Sequence, residues 1–138
     1  MTATASFVLF PLGERRYAFR AEHVAELALP GRLQQFPHTT SMLTGVLLRR
    51  GRIVPVCDIA PMLIGPYAPA RKFYLIAQPE GSHGEWTAIP VTGECELAAC
   101  ETNKPANGTP EYVSAVVTRG DELVPVIDLE KLIAQEVH

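Results

Sequence analysis

Two aspartates, Asp58 and Asp128, each close a Val-Pro-Val-x-Asp run, in Val54-Pro55-Val56-Cys57-Asp58 and in Val124-Pro125-Val126-Ile127-Asp128. Paired carboxylates at matching positions invite comparison with an aspartic dyad, in which two close carboxyl groups share one proton. Such a dyad wants a small hydroxyl residue and a glycine after each Asp. Here the followers are Ile59-Ala60 and Leu129-Glu130, so the dyad is rejected. Each aspartate instead stands where an N-cap belongs, before short helical stretches at Ile59–Leu63 and Leu129–Ala134. His23, His38, His83 and His138 are scattered without metal-ligand spacing, and Cys95 and Cys100 lie five apart with no nearby histidine. A structural zinc site needs a tighter set than that. No nucleophile elbow, P-loop or dinucleotide fingerprint occurs. The residues therefore predict no enzyme, no catalytic residue, no metal and no cofactor.

The concentrated charge is Arg49, Arg50 and Arg52, with Arg15, Arg16 and Arg20 earlier. A basic hairpin on a small barrel can grip phosphate, which makes nucleic-acid binding the alternative reading. Against it, the aromatics are 7% of the chain, Trp86 is far from the arginines in sequence, and the net charge is −3. An arginine-rich turn can also simply keep a hairpin soluble, but a specific protein contact fits better, because Arg is enriched in interface hot spots.

At 138 residues and 47% hydrophobic content, one domain with its own core is expected. Three cysteines, Cys57, Cys95 and Cys100, give no disulfide framework and suit a reducing compartment. The N-terminal residues carry neither a basic n-region nor an apolar h-region, and no run of 18 apolar residues occurs. A cytoplasmic protein with no membrane insertion is the expectation.

The elements that would position these residues come in duplicate. Gly45–Ile59 aligns without a gap on Ala115–Leu129, a shift of 70 residues, which also carries Ala18 onto Ala88, Glu26 onto Glu96 and Leu27 onto Leu97. Phe7–Phe10 resembles Phe73–Ile76 at a shift of 66, implying a first turn four residues longer in the second copy. The chain thus reads as one domain, residues 1–138, made of two copies at about 7–65 and 73–134. Val8–Phe10 with Tyr17–Phe19, and Gly45–Leu48 with Ile53–Asp58, read as hairpins around polar turns. Ala21–Leu27 reads as a turn or two of helix. Pro55 and Pro125 cannot donate to a ladder, so their strands must be edges there, or bulge or bend. About 65 residues make a marginal core alone, so two small barrels packed together or exchanging strands is the economical all-β architecture.

Phe10-Pro11-Leu12-Gly13-Glu14-Arg15-Arg16-Tyr17-Ala18-Phe19, then Val24-Ala25-Glu26-Leu27, then Gly45–Gly51 and Ile53–Ile59, resemble the CheW-like family of chemotaxis coupling proteins from about Phe7 to Ile133. The resemblance implies two intertwined small β-barrels of SH3-like type and no catalysis. It implies a cytoplasmic adaptor bridging the tips of chemoreceptors to the regulatory domain of the CheA histidine kinase. By position, Arg50 matches the signature arginine at the contact surface and Gly45 the glycine that opens the strand. Val24, Glu26 and Leu27 match the segment beside the receptor groove. A receptor helix would then lie against Val24, Leu27 and Val46, with Arg50 and Glu26 at the rim and Arg49 adding charge. The chain departs from the family pattern at Leu48-Arg49, at Thr40 in place of a proline, and at Glu94 in place of an aliphatic residue.

Overall fold

The computed structural model describes residues 3–28, 43–79 and 84–136. Thr40, His38, His83 and His138 lie outside the described residues. Among the described residues ten strands and two short helices follow in chain order: β1 (Ala3–Leu12), β2 (Arg15–Arg20), β3 (Val24–Ala28), β4 (Leu43–Arg49), β5 (Arg52–Cys57), α1 (Ala60–Ile64), β6 (Phe73–Ala77), β7 (Thr87–Val91), β8 (Glu96–Asn103), β9 (Val113–Arg119), β10 (Glu122–Ile127) and α2 (Leu129–Glu136). Among the described residues no helix is long and apolar enough to cross a membrane.

The strands form two lobes that exchange hairpins. One lobe is a closed barrel of order β1-β2-β10-β9-β8, and the other is a five-stranded sheet of order β3-β6-β7-β5-β4. The first hairpin of each repeat copy is built into the lobe that holds the rest of the other copy. This is the intertwined, SH3-like pair of lobes that the resemblance implies. In the barrel, β8 closes onto β9 through Glu101↔Thr118, Thr102↔Val117 and Asn103↔Val116. Among the described residues no ladder joins β3 to β4, the positions aligned with Glu101–Asn103 lying outside them, and in this sense the second lobe is an open sheet.

The repeat extends to single backbone pairs. Val126 bridges Ala18 in parallel, and Val56 bridges Ala88, one pair joining β10 to β2 and one joining β5 to β7. A bulge lies between Val126 and Ile127, with its counterpart between Leu43 and Gly45. At the extra residue of each bulge, the Thr44 and Ser114 hydroxyls face the Val56 and Val126 carbonyls at 3.5 Å. Pro55 and Pro125 therefore do not sit on sheet edges. Each occupies a strand whose inner neighbour pairs at one position only and whose ladder bulges one residue later, so the missing N–H is accommodated.

One registration differs from the sequence expectation. Leu9 pairs with Ala18, and Ile76 pairs with Ala88, so β1 maps onto β6 with a shift of 67, not 66. The first turn of the second copy is three residues longer, not four. A one-residue slip exchanges the two faces of a strand. Accordingly Phe7 and Leu9 fill the barrel with Ala18, Cys100, Val117, Val124 and Val126, while Ile76 and Tyr74 line the open sheet with Leu47, Val54, Val56 and Ala88.

The opposite faces of the exchanged hairpins make the core between the lobes. Val8, Phe10, Leu12, Tyr17 and Phe19 pack there against Leu75, Ala77, Ile89 and Val91, roofed by Ile59 and Leu132 beside the helices. Phe10 stacks on Phe19 with ring centroids 4.7 Å apart. Burial of side chains this large stabilises by roughly 1.5–3 kcal/mol each, so the lobes hold as one body. The β1–β2 turn is fastened to the other lobe: Gly13 N–H donates to Thr92 Oγ1 at 2.9 Å, and a Cβ at Gly13, whose φ is +65°, would touch Pro69.

Two local expectations change. Ala21–His23 is a single 3-10 turn, and Val24–Ala28 continues as strand β3 paired with β6, because that pairing outweighs the helical spacing of Val24 and Leu27. Asp128 caps α2, its Oδ1 accepting from Lys131 N–H at 3.2 Å. Asp58 is not the N-cap of α1. Ile59 takes that position, and the Asp58 carboxylate receives both Nε and Nη2 of Arg71 at 3.2 and 2.7 Å, leaving only a 3.4 Å contact to the Ala60 N–H.

Candidate partner-binding surface

The hairpin β4–β5 turns at Arg50 and Gly51, with φ of 51° and 74°. Positive φ at both central residues is a type I′ turn, whose twist matches the strands it joins. Among the described residues, Arg50 is the one non-glycine with positive φ. A side chain there costs roughly 1–2 kcal/mol over glycine. The aligned turn of the second copy places Gly120 at this position, with φ of 61°.

Glu26 anchors the arginines. It lies on β3 opposite Ile76, so it faces into the mouth of the open sheet, where Arg49 Nε donates to Oε1 and Arg50 Nε donates to Oε2 at 2.8 Å. The Glu26 side chain is 14% exposed, against 41% and 68% for Arg49 and Arg50. Hydrogen bonds from Arg49 hold the Glu26 carboxyl below its ordinary 4.5, against the opposing effect of burial and with help from Arg50. Three of the residues singled out from sequence, on two separate strands, are thus one ionic network.

The aligned positions of the closed barrel carry a second network. Glu96 accepts from Arg119 and, at 3.0 Å, from Arg16 Nη1. Arg16 Nε and Nη2 also donate to Glu122 Oε1 at 2.9 and 2.5 Å. Arg16, Glu96, Arg119 and Glu122 therefore close the mouth of the barrel with two charges of each sign. The aligned four in the open sheet are Trp86, Glu26, Arg49 and Arg52, and here the Arg52 guanidinium carbon stands 4.4 Å over the Trp86 ring. Trp86 is far from the arginines in sequence, and folding brings it beneath one of them. The signal was present in the repeat, since the shift of 70 carries Arg16 onto Trp86 and Arg52 onto Glu122.

The remaining predicted residues do not line one groove. Val24 packs on the core between the lobes. Leu27 points outward and is 52% exposed. Gly45 is buried at the bulge, two residues inside a strand that begins at Leu43. Val46 is half-buried on the outer face of β4 opposite Pro55, and beyond it the pair Leu48 and Ile53 is 74% and 75% exposed. Glu94, at the aligned place of Val24, is exposed. Sequence reasoning missed a groove of about 490 Å³ between the lobes, lined by Phe19, His23, Ala77, Ala115, Ile127 and Asp128. Burial pushes the half-buried Cys95 thiol up to about 11, which keeps it protonated and unreactive near neutral pH.

Comparison with known proteins bears on this arrangement. Residues 6–137 match the family model described as CheW-like domain. No curated protein sequence matches the chain. Among solved structures, the chain is similar to the scaffolding protein TtCheW from Thermoanaerobacter tengcongensis, with TM-score 0.80 and 20% identity over 94% of this chain and 88% of that one. Two exchanged lobes with the Arg50 turn at the open end are thus the form taken here by a known module, and the chain belongs to the CheW-like domain family.

Proposed function

We propose that the chain is a cytoplasmic adaptor that couples the tips of chemoreceptors to the regulatory domain of a CheA-type histidine kinase. The CheW-like family is one of signalling scaffolds and not of enzymes. The observation that carries the finer reading is the Glu26–Arg49–Arg50 network. It presents an arginine in a strained turn at the end of a lobe whose aligned counterpart is charge-balanced and turns on glycine. Arg50 is oriented by Glu26, so its contact with a partner loses less side-chain entropy than a free arginine would. The groove between the lobes has apolar walls from Phe19, Ala77, Ala115 and Ile127, suited to an amphipathic helix of the kind a receptor tip offers.

The test is a titration with a receptor cytoplasmic fragment and with the kinase regulatory domain from the same organism, using wild type, Arg50→Ala and Leu27→Asp. Binding of both partners by wild type is expected, with a loss of about 2 kcal/mol where a variant removes a central contact. If wild type binds neither partner, the adaptor reading fails.

A further inference from the structure

Beside the mouth of the open sheet is a cleft of about 590 Å³ between β5 and the segment entering β7, lined by Arg52, Ile53, Pro55, Glu85, Trp86 and Thr87. We propose that this cleft receives a carboxylate side chain from an acidic, aliphatic segment of a partner protein, with the Arg52 guanidinium as its fork.

The first support is the state of Arg52. It is exposed, and among the described residues it makes no hydrogen bond or ion pair. Its guanidinium carbon nonetheless stands 4.4 Å from the centroid of the Trp86 ring, whose Nε1 donates to Gln78 Oε1 at 3.3 Å. A guanidinium resting on an aromatic face keeps its N–H donors at the rim, in the geometry that takes a carboxylate with two parallel bonds.

The second support is internal. At the aligned place in the closed barrel the arginine of the pair is Arg16, and its Nε and Nη2 both reach Glu122 at 2.9 and 2.5 Å. There the chain supplies its own carboxylate. In the open sheet the position aligned with Glu122 is Arg52 itself, and the position aligned with Arg16 is Trp86, so the internal carboxylate is replaced by a ring and an arginine without an anion.

The third is charge and shape. Arg49 across the hairpin is paired with Glu26, which it shares with Arg50, and Glu85 on the cleft wall is exposed with no ion pair among the described residues. Glu85 repels any anion that enters, so the cleft opposes a polyanion, and the attraction for one carboxylate rests on the Arg52 donors. Ile53, 75% exposed, and half-buried Pro55 supply the apolar wall for an aliphatic neighbour of that carboxylate. The inference does not depend on the adaptor reading, because it uses neither the Arg50 turn nor the groove between the lobes.

Trp86 is the one tryptophan of the chain, so its emission reports the cleft directly. The full chain is titrated with the blocked peptide Leu-Glu-Leu-Glu-Leu and with its Leu-Gln-Leu-Gln-Leu control. A saturable change in Trp86 emission is expected with the first. Binding weakens about tenfold for the glutamine control and for Arg52→Gln, the scale of one lost charge-assisted pair. Arg52→Lys, which keeps the charge and loses the fork, falls between. Circular dichroism verifies that each variant is folded, and exposed Arg52 gives no reason for unfolding. Equal binding of the two peptides, no saturable change with wild type, or displacement of the peptide by a thymidine oligonucleotide would overturn the proposal. None of these outcomes touches receptor or kinase binding, so failure here is distinct from failure of the adaptor reading.

Discussion

The two lobes have the same strand order and matching bulges where β9 meets β10 and β4 meets β5, yet among the described residues a ladder closes only one of them. In the closed barrel, β8 runs on through Asn103 to meet β9, and four side chains of balanced charge, Arg16, Glu96, Arg119 and Glu122, satisfy one another across the mouth. In the open lobe, β3 and β4 stay unpaired among the described residues, and the aligned four side chains carry two arginines, one glutamate and one tryptophan, with Arg50 adding a third arginine. The repeat gives the fold two aligned ends, of which one satisfies its own charges and the other keeps donors to spare. Such asymmetry is what a scaffold needs if its ends are to serve different tasks.

The largest effect expected from this contrast is in the lobe cores. Leu9 and Ile76 occupy aligned interior positions, 1% and 0% exposed. Truncating either to alanine removes comparable volume, and the cost depends on how far the surroundings collapse into the cavity. Both residues sit on strands paired on each side, but the ring of strands around Leu9 is closed by the β8–β9 ladder, so Leu9→Ala should cost about 4 kcal/mol. In the second lobe no ladder joins β3 to β4 among the described residues, so if that lobe relaxes more easily Ile76→Ala should cost less, about 2–3 kcal/mol. Urea unfolding at constant m-value measures both, and equal losses would remove the claim that closure stiffens one lobe.

A smaller effect separates the two glutamates. Glu26 is held below its ordinary 4.5 mainly by Arg49, and Glu96 mainly by Arg119, so both are charged in the folded chain near neutral pH. A carboxyl whose folded pKa is depressed contributes stability that is present above the unfolded pKa and is lost as pH falls through the folded one. At neutral pH, Glu26→Gln should cost about 1 kcal/mol, because Glu26 is mostly shielded and two arginines lose their anion. Glu96→Gln should cost less, since Glu96 is more exposed to solvent and Arg16 retains Glu122. Below the ordinary glutamate value the difference between variants should shrink toward zero. A difference that persists in acid would show that packing, and not charge, distinguishes the sites.

Much of this was legible in the residues. The repeat, the strand class, both hairpins and the matching of Glu26 to Glu96 follow from period-two patterning and a gapless alignment, which depend on local chemistry alone. What was hidden depended on partners. Val24 and Leu27 keep a helical spacing, but pairing with β6 makes them strand. Asp58 has a cap's position, but Arg71, in a connector with no repeat signal, claims its carboxylate. Phe7–Phe10 matched Phe73–Ile76 by residue type at a shift of 66, whereas cross-strand pairing with Ala18 and Ala88 sets it at 67. Similar residues on both faces of a strand leave its registration to pairing, which sequence alone does not display.

The smallest expected effect is the one that most directly tests why the open end differs. Arg50 holds a left-handed backbone at φ 51°, and Gly120 holds the same place in the closed lobe at φ 61°. Arg50→Gly removes a conformational cost of roughly 1–2 kcal/mol and gives up an exposed ion pair worth about 0.2–1 kcal/mol. Glycine also adds freedom to the unfolded chain, which offsets part of the gain by about 0.4–1 kcal/mol. The net should be a stabilisation of a few tenths of a kcal/mol. The same variant should lose binding to receptor fragment or kinase domain, where Gly51→Ala, strained at φ 74° and without a charge change, should lose stability instead. A stabilised protein that no longer binds would mean that the strain at Arg50 is retained for recognition. A destabilised Arg50→Gly would place the arginine among ordinary structural residues, held for its bond to Glu26.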